Sequence, residues 1–344
     1  MINFQCDYLK GCHPKILERL SEINDIQISG YGNDPYCSSA REKIREACQC
    51  PEADVHFLVG GTQTNLTVIS SILRPYQGVL AAQEGHIACH ETGAVEATGH
   101  KVLVLPSDNG KITARQIEEF CREDLECEVR EHMVQPGMVY LSFPTESGTL
   151  YSKGELTEIS RVCRRYGLPL YLDGARMGYG LASPSNDLDL ADIAGMCDIF
   201  YIGGTKCGAL FGEAVVITND SLKKDFRYHI KQRGGMLAKG WLLGLQFEVL
   251  FENDLYTEIC RKAVDYAGKI RRAFEEQGIP LFGNSDTNQQ FPILDERQME
   301  AFQPDFAYEV WGKYDDSHTV VRFAASWATS EEEVQQLIER IRSL

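Results

Sequence analysis

The alternation of strand-like and helix-like segments from about residue 42 to residue 250 constrains the fold of this chain more than any other feature. Short apolar runs at 55–59, 168–172 and 198–202 are typical of strands that are buried on both faces. Segments with helical character separate them, such as 153–166, which ends at a glycine. Buried strands that alternate with helices favour a mostly parallel sheet covered by helices on both faces. The sequence therefore predicts an α/β fold.

The pattern changes after a long helical stretch at about 240–276. Segments 290–294 and 319–324 read as strands, and Ser330 and Glu333 have the spacing of a capping box that begins a terminal helix. A length of 344 residues also exceeds the usual size of one domain. We expect three regions: 1–41, an N-terminal segment that contributes to the smaller domain and to a subunit interface; 42–250, the large domain; and 251–344, a smaller α+β domain.

Composition and charge exclude several classes of protein. A net charge of −16 gives an acidic surface that repels phosphate backbones, so we expect no nucleic-acid partner. Residues 1–10 lack the apolar core of a signal peptide, and the longest apolar stretch, 241–251, is too short and too polar to span a bilayer. The twelve cysteines are scattered, which favours free thiols in a reducing cytoplasm.

A glycine-rich turn lies between a predicted strand and a predicted helix in the sequence VHFLVGGTQTN. It places Gly61 and Thr62 at the start of the helix. Backbone N–H groups at a helix N-terminus, together with hydroxyl groups, bind phosphate. An ordinary tight turn gives the same pattern, so the motif alone leaves both interpretations open.

An aspartate and a lysine each follow a predicted buried strand: Asp173 in YLDGAR and Lys206 in IGGTK. A carboxylate at such a position needs a partner, which would be a protonated pyridine nitrogen, a metal ion or Arg176. The lysine, flanked by glycines, suits Schiff-base chemistry, although a loop lysine is the alternative. Parallel strands end at one edge of the sheet, so we expect both side chains beside the glycine turn. That combination suits pyridoxal phosphate, which requires a lysine and an acid at opposite ends of its ring.

Two further features allow alternative interpretations. Arg322 lies inside the apolar strand VVRFAA and needs an anion, either a substrate carboxylate or a neighbouring acidic side chain. His86 and His90 are four residues apart and would share one face of a helix, as metal ligands do. No third ligand stands at a telling spacing, so the sequence predicts no metal site.

Nearly the whole chain resembles the threonine aldolase and β-eliminating lyase family of pyridoxal-phosphate enzymes, which have the aspartate aminotransferase-like fold of type I. The resemblance extends from FQCDYLK to VVRFAASWATSEEEV, and LDGAR and IGGTK are its most specific parts. It implies these roles: Lys206 as the Schiff-base lysine, Asp173 as the partner of the ring nitrogen, Gly61 and Thr62 as the phosphate turn, His86 as the residue stacked on the cofactor ring, and Arg176 and Arg322 as the arginines that hold the substrate carboxylate.

The family also implies a homodimer or homotetramer, in which the YGNDP segment with Tyr31 reaches the neighbouring subunit's site.

Three positions depart from the family pattern. Cys6 replaces a serine that helps to hold the substrate carboxylate, Glu146 replaces a histidine near the substrate hydroxyl, and Leu237 replaces an arginine that reaches a neighbouring subunit's phosphate.

The activity implied by the resemblance is cleavage of a β-hydroxy-α-amino acid, such as threonine or allo-threonine, to glycine and an aldehyde. Lys206, His86 and Glu146 are the candidate catalytic residues. The departures keep a second hypothesis open, in which the same cofactor supports β-elimination, racemisation or transamination. A third hypothesis is a non-catalytic metal- or cofactor-binding protein.

Overall fold

The computed structural model describes residues 1–303 and 305–344 and contains one large sheet and a smaller C-terminal sheet. The strands in chain order are β1 (Ile2–Asn3), β2 (Asp54–Leu58), β3 (Gln77–Ala82), β4 (Lys101–Leu105), β5 (Gln135–Ser142), β6 (Leu170–Asp173), β7 (Ile199–Gly203), β8 (Glu213–Ile217), β9 (Gln289–Gln290), β10 (Ile293–Asp295), β11 (Phe306–Ala307), β12 (Glu309–Lys313) and β13 (His318–Ala324).

The α-helices surround these strands. In chain order they are α1 (Pro14–Ile23), α2 (Pro35–Ala47), α3 (Gly61–Ile72), α4 (His86–Cys89), α5 (Ala114–Glu126), α6 (Lys153–Tyr166), α7 (Met177–Leu181), α8 (Leu190–Met196), α9 (Phe226–Gln232), α10 (Trp241–Leu250), α11 (Leu255–Glu276), α12 (Glu296–Phe302) and α13 (Glu331–Arg342).

The large sheet has seven strands in the order β2-β8-β7-β6-β5-β3-β4. Neighbours from β7 to β4 run parallel, whereas β8 is antiparallel to both β7 and β2. Successive side chains of a strand point to opposite faces. Leu141 and Leu172 accordingly join one apolar cluster, and Tyr140 and Tyr171 join another. Both faces are thus covered, and the predicted mostly parallel α/β sheet is confirmed.

The smaller sheet forms around β13, which pairs antiparallel with β9, β10 and β12. Strand β1 pairs parallel with β11, so the N-terminal residues join the C-terminal part of the chain. The predicted capping box is confirmed, because the side chains of Ser330 and Glu333 bond each other's backbone N–H groups at the start of α13. The boundaries at 41/42 and 250/251 stay a prediction, and helix α2 crosses the first of them.

Two predicted helices are interrupted. The sequence from 86 to 99 reads as one helix, but this prediction is wrong: α4 ends at Cys89, and Thr92 and Gly93 adopt positive φ angles of 54° and 71°. The long helical stretch is two helices, α10 and α11, because Asn253 and Asp254 take φ angles of 51° and 57° between them. Left-handed backbone angles of this kind cannot continue an α-helix.

Among residues 1–303 and 305–344, no helix combines the length and the apolar character that are needed to cross a membrane. The twelve cysteines all lie in this part of the chain and are free thiols. Most of them are buried, where a thiol packs as a small apolar side chain.

Candidate active site

A cavity of about 460 Å³ opens at the edge where strands β6 and β7 end. This volume lies within the usual range for small-molecule sites. The lining of this strand-end cavity includes most of the predicted site residues: Gly61, Thr62, His86, Glu146, Arg176, Lys206 and Arg322. A groove of about 850 Å³ along α11 is larger, but it contains none of these residues and is lined mainly by surface charges.

The glycine turn presents an uncapped helix N-terminus to the strand-end cavity. Gly60 is the N-cap residue of α3, and it has no side chain to accept from the first-turn N–H groups. Helices α5 and α6, in contrast, begin with complete capping boxes. A Cβ atom added at Gly61 would lie 3.2 Å from the Tyr201 hydroxyl, so a larger residue would fit tightly. Free N–H groups at the positive end of a helix dipole form a site for an anion.

Asp173 is buried at the end of β6 and is held by neutral donors. Its Oδ2 accepts hydrogen bonds from the Tyr140 hydroxyl at 2.6 Å and from Asn65 Nδ2 at 3.0 Å, and its Oδ1 accepts from the Ala175 N–H at 3.0 Å. The alternative in which Asp173 pairs with Arg176 is wrong, because Arg176 pairs with Asp7. Neutral donors orient the carboxylate without cancelling its charge, which remains for a cationic ligand.

Asn65 connects Asp173 to His86 through a second buried carboxylate. Its Nδ2 also donates to Glu91 Oε1 at 2.7 Å, and the same oxygen lies 2.8 Å from His86 Nδ1. Burial lowers the pKa of His86, but the hydrogen bond to Glu91 and the negative charges of Glu146 and Asp173 outweigh it, so this pKa is raised. His86 therefore keeps its proton to a higher pH than an ordinary histidine.

Arg176 is paired with Asp7 on one side of its guanidinium. Nε and Nη2 donate to the two carboxylate oxygens at 2.7 and 3.1 Å, and Asn288 adds a third donor at 2.9 Å. Burial alone would raise the pKa of Asp7, but Arg176 and Lys206 together with these hydrogen bonds lower it to about 2. Nη1 of Arg176 lies on the other side, 3.9 Å from Glu146 Oε2. If Arg176 binds a substrate carboxylate, as the resemblance implies, it must do so through Nη1.

Replacing Asp7 with asparagine is expected to destabilise the fold by about 3–5 kcal/mol, because it leaves the Arg176 guanidinium buried without its anion. The lowered pKa of Asp7 means that its stabilisation is present above about pH 4 and is lost as the pH falls toward about 2. Urea unfolding of Asp7→Asn at several pH values would measure both effects. Asp316→Asn, which alters an exposed ion pair with Lys313, should leave the unfolding midpoint unchanged. An Asp7→Asn protein as stable as wild type would contradict the expectation.

Arg322 forms a salt bridge with Glu309 in the structure. Its Nη2 donates to the Glu309 carboxylate and to the Gln5 carbonyl oxygen, and its Nη1 donates to Gln289 Oε1 at 3.1 Å. The guanidinium stacks on the Trp311 ring at 5.3 Å. Within the described residues, the buried Nε has no hydrogen-bond partner. The alternative of a salt bridge to a neighbouring acid is thus observed, and a substrate carboxylate would have to compete with Glu309.

Three predicted residues have other surroundings. Tyr8, rather than Cys6, lines the strand-end cavity. Tyr31 is exposed, its ring lies 5.0 Å from Lys231 Nζ, and it borders a separate cleft. The roles of Cys6 and Tyr31 in substrate binding stay predictions. The His86 and His90 rings are 5.6 Å apart. Across residues 1–303 and 305–344, no three His, Cys, Asp or Glu side chains gather as metal ligands.

The sequence reasoning missed several residues that hold the site. Asn65 belongs to the GGTQTN motif, and its polar side chain on the buried face of α3 was an available signal. Glu91 lies only five positions after its partner His86, so the spacing was an available signal, whereas Tyr140 is 33 positions from Asp173 and had no comparable signal. Asp7 belongs to the N-terminal motif, but its pairing with Arg176 spans 169 positions.

These residues fit pyridoxal 5′-phosphate. The uncapped N-terminus of α3 would receive the phosphate, and the Asp173 carboxylate would face the ring nitrogen. Lys206 follows β7 at the same edge and would bond to the aldehyde carbon. The strand-end cavity thus offers an anion site and an amine, and a buried acid ends the neighbouring strand β6.

Comparison with known proteins supports the same assignment. The family model described as beta-eliminating lyase matches residues 13–297. The low specificity L-threonine aldolase of Pseudomonas aeruginosa is 29% identical over 353 aligned positions, which cover 98% of this chain and 96% of that protein. A solved structure of Leishmania major threonine aldolase is 46% identical and has a TM-score of 0.97, with 100% of this chain and 99% of that chain covered.

A more distant neighbour shows the fold alone. An aspartate aminotransferase variant of Thermus thermophilus is 15% identical and has a TM-score of 0.70. The alignment covers 100% of this chain and 92% of that chain. The family model covers most of this chain, and the Leishmania structure covers all of it. The chain therefore belongs to the beta-eliminating lyase family of pyridoxal-phosphate-dependent enzymes.

Proposed function

We propose that this protein is a lyase that cleaves a β-hydroxy-α-amino acid of the threonine type to glycine and an aldehyde. The observation that carries the proposal is the close match over the full length to a solved threonine aldolase, in a chain whose cavity is lined by Lys206 and by the uncapped N-terminus of α3, with Asp173 buried at the end of β6. The relatives in Pseudomonas aeruginosa and in Pseudomonas sp. are both low specificity L-threonine aldolases, and each is 29% identical to this chain.

The side chains at the strand-end cavity have different roles in the proposed reaction. When bound, pyridoxal phosphate supplies the sink for the electrons of the broken Cα–Cβ bond. Asp173 keeps the proton on the ring nitrogen by its negative charge. Arg176 and Arg322 hold the substrate carboxylate, which fixes the orientation of the bond to be cleaved. Lys206 would hold the cofactor through its side-chain amine.

Glu146 is our candidate for the acceptor of the β-hydroxyl proton. His86 lines the same cavity, but its Nδ1 is already hydrogen-bonded to Glu91 at 2.8 Å, and its raised pKa means that it keeps its proton to a higher pH than an ordinary histidine. The carboxylate of Glu146 accepts a proton only when it is ionised, and its Oε2 lies 3.9 Å from Arg176 Nη1. His86, when protonated, places positive charge beside the reacting groups.

Replacing Glu146 with glutamine is expected to lower kcat for threonine cleavage by about 10²–10⁴-fold, because the amide cannot take the hydroxyl proton. KM should change little, since Arg176 and Arg322 remain. Steady-state glycine release would provide both constants. Glu158→Gln, at an exposed ion pair with Arg161, serves as the matched control and should keep wild-type rates. Wild-type kcat in Glu146→Gln would instead assign the proton to His86 or to water.

A product assay over a panel of β-hydroxy amino acids tests the proposed function. Glycine and an aldehyde in equal amounts, without pyruvate or ammonia, are the expected products from threonine or allo-threonine. Pyruvate and ammonia, a racemised substrate, or an amino group transferred to a keto acid would support the second hypothesis. Absence of any turnover by cofactor-loaded protein would support a non-catalytic role and overturn the proposal.

We also propose that the protein is a cytoplasmic homodimer or homotetramer. The family resemblance supports the assembly, and the exposed Tyr31 segment is a candidate for contact with a neighbouring subunit. Twelve free thiols favour a reducing compartment. Sedimentation of the purified protein would determine the number of subunits.

A further inference from the structure

Glu213 is a buried carboxyl group beside the cofactor site that the mechanism above does not use. It is the first residue of β8, only 3% exposed, and it lines the strand-end cavity. In the sheet it stands opposite Gly203 of β7 and Leu58 of β2. The two neighbouring strands lead into the Lys206 turn and into the glycine turn at Gly60. The register therefore places Glu213 between the two segments that would hold the cofactor's aldehyde and phosphate.

The hydrogen bonds of Glu213 hold the Lys206 turn in place. Its Oε2 accepts from the Gly204 N–H at 3.0 Å, and its Oε1 accepts from the Thr205 hydroxyl at 2.7 Å. The Thr205 oxygen in turn accepts from the Gly212 N–H at 3.0 Å. This network links the residues just before Lys206 to the end of β8.

The surroundings of Glu213 favour its protonated form. Burial is the largest effect, and it raises the pKa of Glu213 to about 8 even though the Thr205 and Gly204 hydrogen bonds and the Lys206 cation lower it. The negative charge of Asp173 on β6 raises it further. The charge of Glu213 also acts on Tyr171 and Tyr201. Both tyrosines stay neutral, because burial raises their own pKa values well above 10.0. Lys206 is thus the cation that acts on this carboxyl.

We propose that Glu213 is a positioning residue that is protonated whenever the cofactor's phosphate is bound at the neighbouring Gly60–Thr62 turn, so that binding at alkaline pH draws one proton from solvent. This inference rests on the cofactor site of the proposed function. A bound phosphate monoester carries a charge of about −1.5 to −2 near neutral pH, and above pH 8 it is fully dianionic. An ionised carboxylate in the same cavity would repel it, whereas the protonated acid does not. In the neutral acid, Oε2 still accepts from the Gly204 N–H, and the O–H on Oε1 donates to the Thr205 oxygen instead of accepting from it, so both contacts to the turn are kept.

The proposal predicts a pH dependence of cofactor affinity that requires both the phosphate and the Glu213 carboxyl. Equilibrium dialysis of the full-length holoenzyme would measure the dissociation constant of pyridoxal phosphate between pH 7 and pH 9. Uptake of one proton weakens binding about tenfold for each pH unit above the pKa of the free acid. We expect this loss in the wild type above about pH 8 and its absence in Glu213→Gln. Glu252→Gln, whose carboxylate pairs with Arg19 outside the cavity, should behave as wild type.

Pyridoxal, which lacks the phosphate, separates this linkage from any titration of Lys206 or of the ring. In the wild type alone, the ratio of pyridoxal phosphate affinity to pyridoxal affinity should fall about tenfold per pH unit above about pH 8. This comparison decides the question even if Glu213→Gln does not fold. A constant ratio, or equal pH dependence in wild type and Glu213→Gln, would overturn the inference. Neither measurement requires turnover, so failure to release glycine would overturn the proposed function without affecting this one.

Discussion

The Lys206→Ala protein is expected to lose at least about 10³-fold in kcat, because a positioned proton-transfer group alone contributes about 10²–10⁴-fold and the covalent bond to the cofactor is lost as well. The yellow absorbance of bound cofactor should disappear with it. Lys206 lies at the end of β7, and among the described residues that line the cavity there is no second lysine to substitute for it. Cofactor absorbance and glycine release, measured on the same preparation, would provide both results.

The control for Lys206→Ala is Lys224→Ala. Lys224 is exposed and does not line the cavity, so its removal should leave both the absorbance and kcat unchanged. An unfolding curve would show that the Lys206→Ala fold is intact, because the lysine side chain lines a cavity and not the core. Retention of the cofactor absorbance in Lys206→Ala would show that another group holds the cofactor and would contradict the assigned site.

Asp173→Asn is expected to lower kcat by about 10²–10³-fold, the usual cost of removing one electrostatic contact to the transition state. The neutral amide would no longer favour a proton on the ring nitrogen. It would also leave an amide N–H group facing one of the donors from Asn65, Tyr140 and Ala175, which costs about 1–3 kcal/mol of stability. Kinetics and urea unfolding of the same variant would separate the two effects.

Tyr140→Phe is the matched control, because it removes one hydrogen bond to Asp173 and leaves the charge. It should lose about 0.5–1.5 kcal/mol of stability, and its kcat should be reduced far less than that of Asp173→Asn. Equal losses of kcat in both variants would mean that the orientation of the carboxylate, and not its charge, limits the reaction.

The large sheet could be predicted from the sequence because its signals are local. The apolar runs of β6 and β7 are short and bounded, and α6 has its predicted bounds, with Ser152 capping its start and Gly167 ending it. Once the strands are parallel, their ends share an edge, and this geometry alone brings Asp173 and Lys206 near the glycine turn. The position of the candidate site could therefore be predicted from where Asp173 and Lys206 stand in the sequence.

The remaining features depend on contacts between distant parts of the chain. Helices α1 and α2 were not predicted, and neither was the pairing of β1 with β11. The anion that holds Arg176 comes from Asp7, and Glu309 was not predicted as the specific partner of Arg322, although a salt bridge to a neighbouring acid was the stated alternative. A single sequence shows which side chains need a partner. It does not show which of the 50 acidic residues supplies it.

The parallel pairing of β1 with β11 has a consequence for the order in which the molecule is completed during synthesis. The ribosome delivers Ile2–Asn3 well before their hydrogen-bonding partner, Phe306–Ala307. Asp7 can therefore contact Arg176 and Asn288 together only after residue 288 has been made. The large sheet can form earlier from contiguous sequence. A newly made chain would thus contain its cofactor turn and Lys206 before the arginine side of the cavity acquires its buried anion.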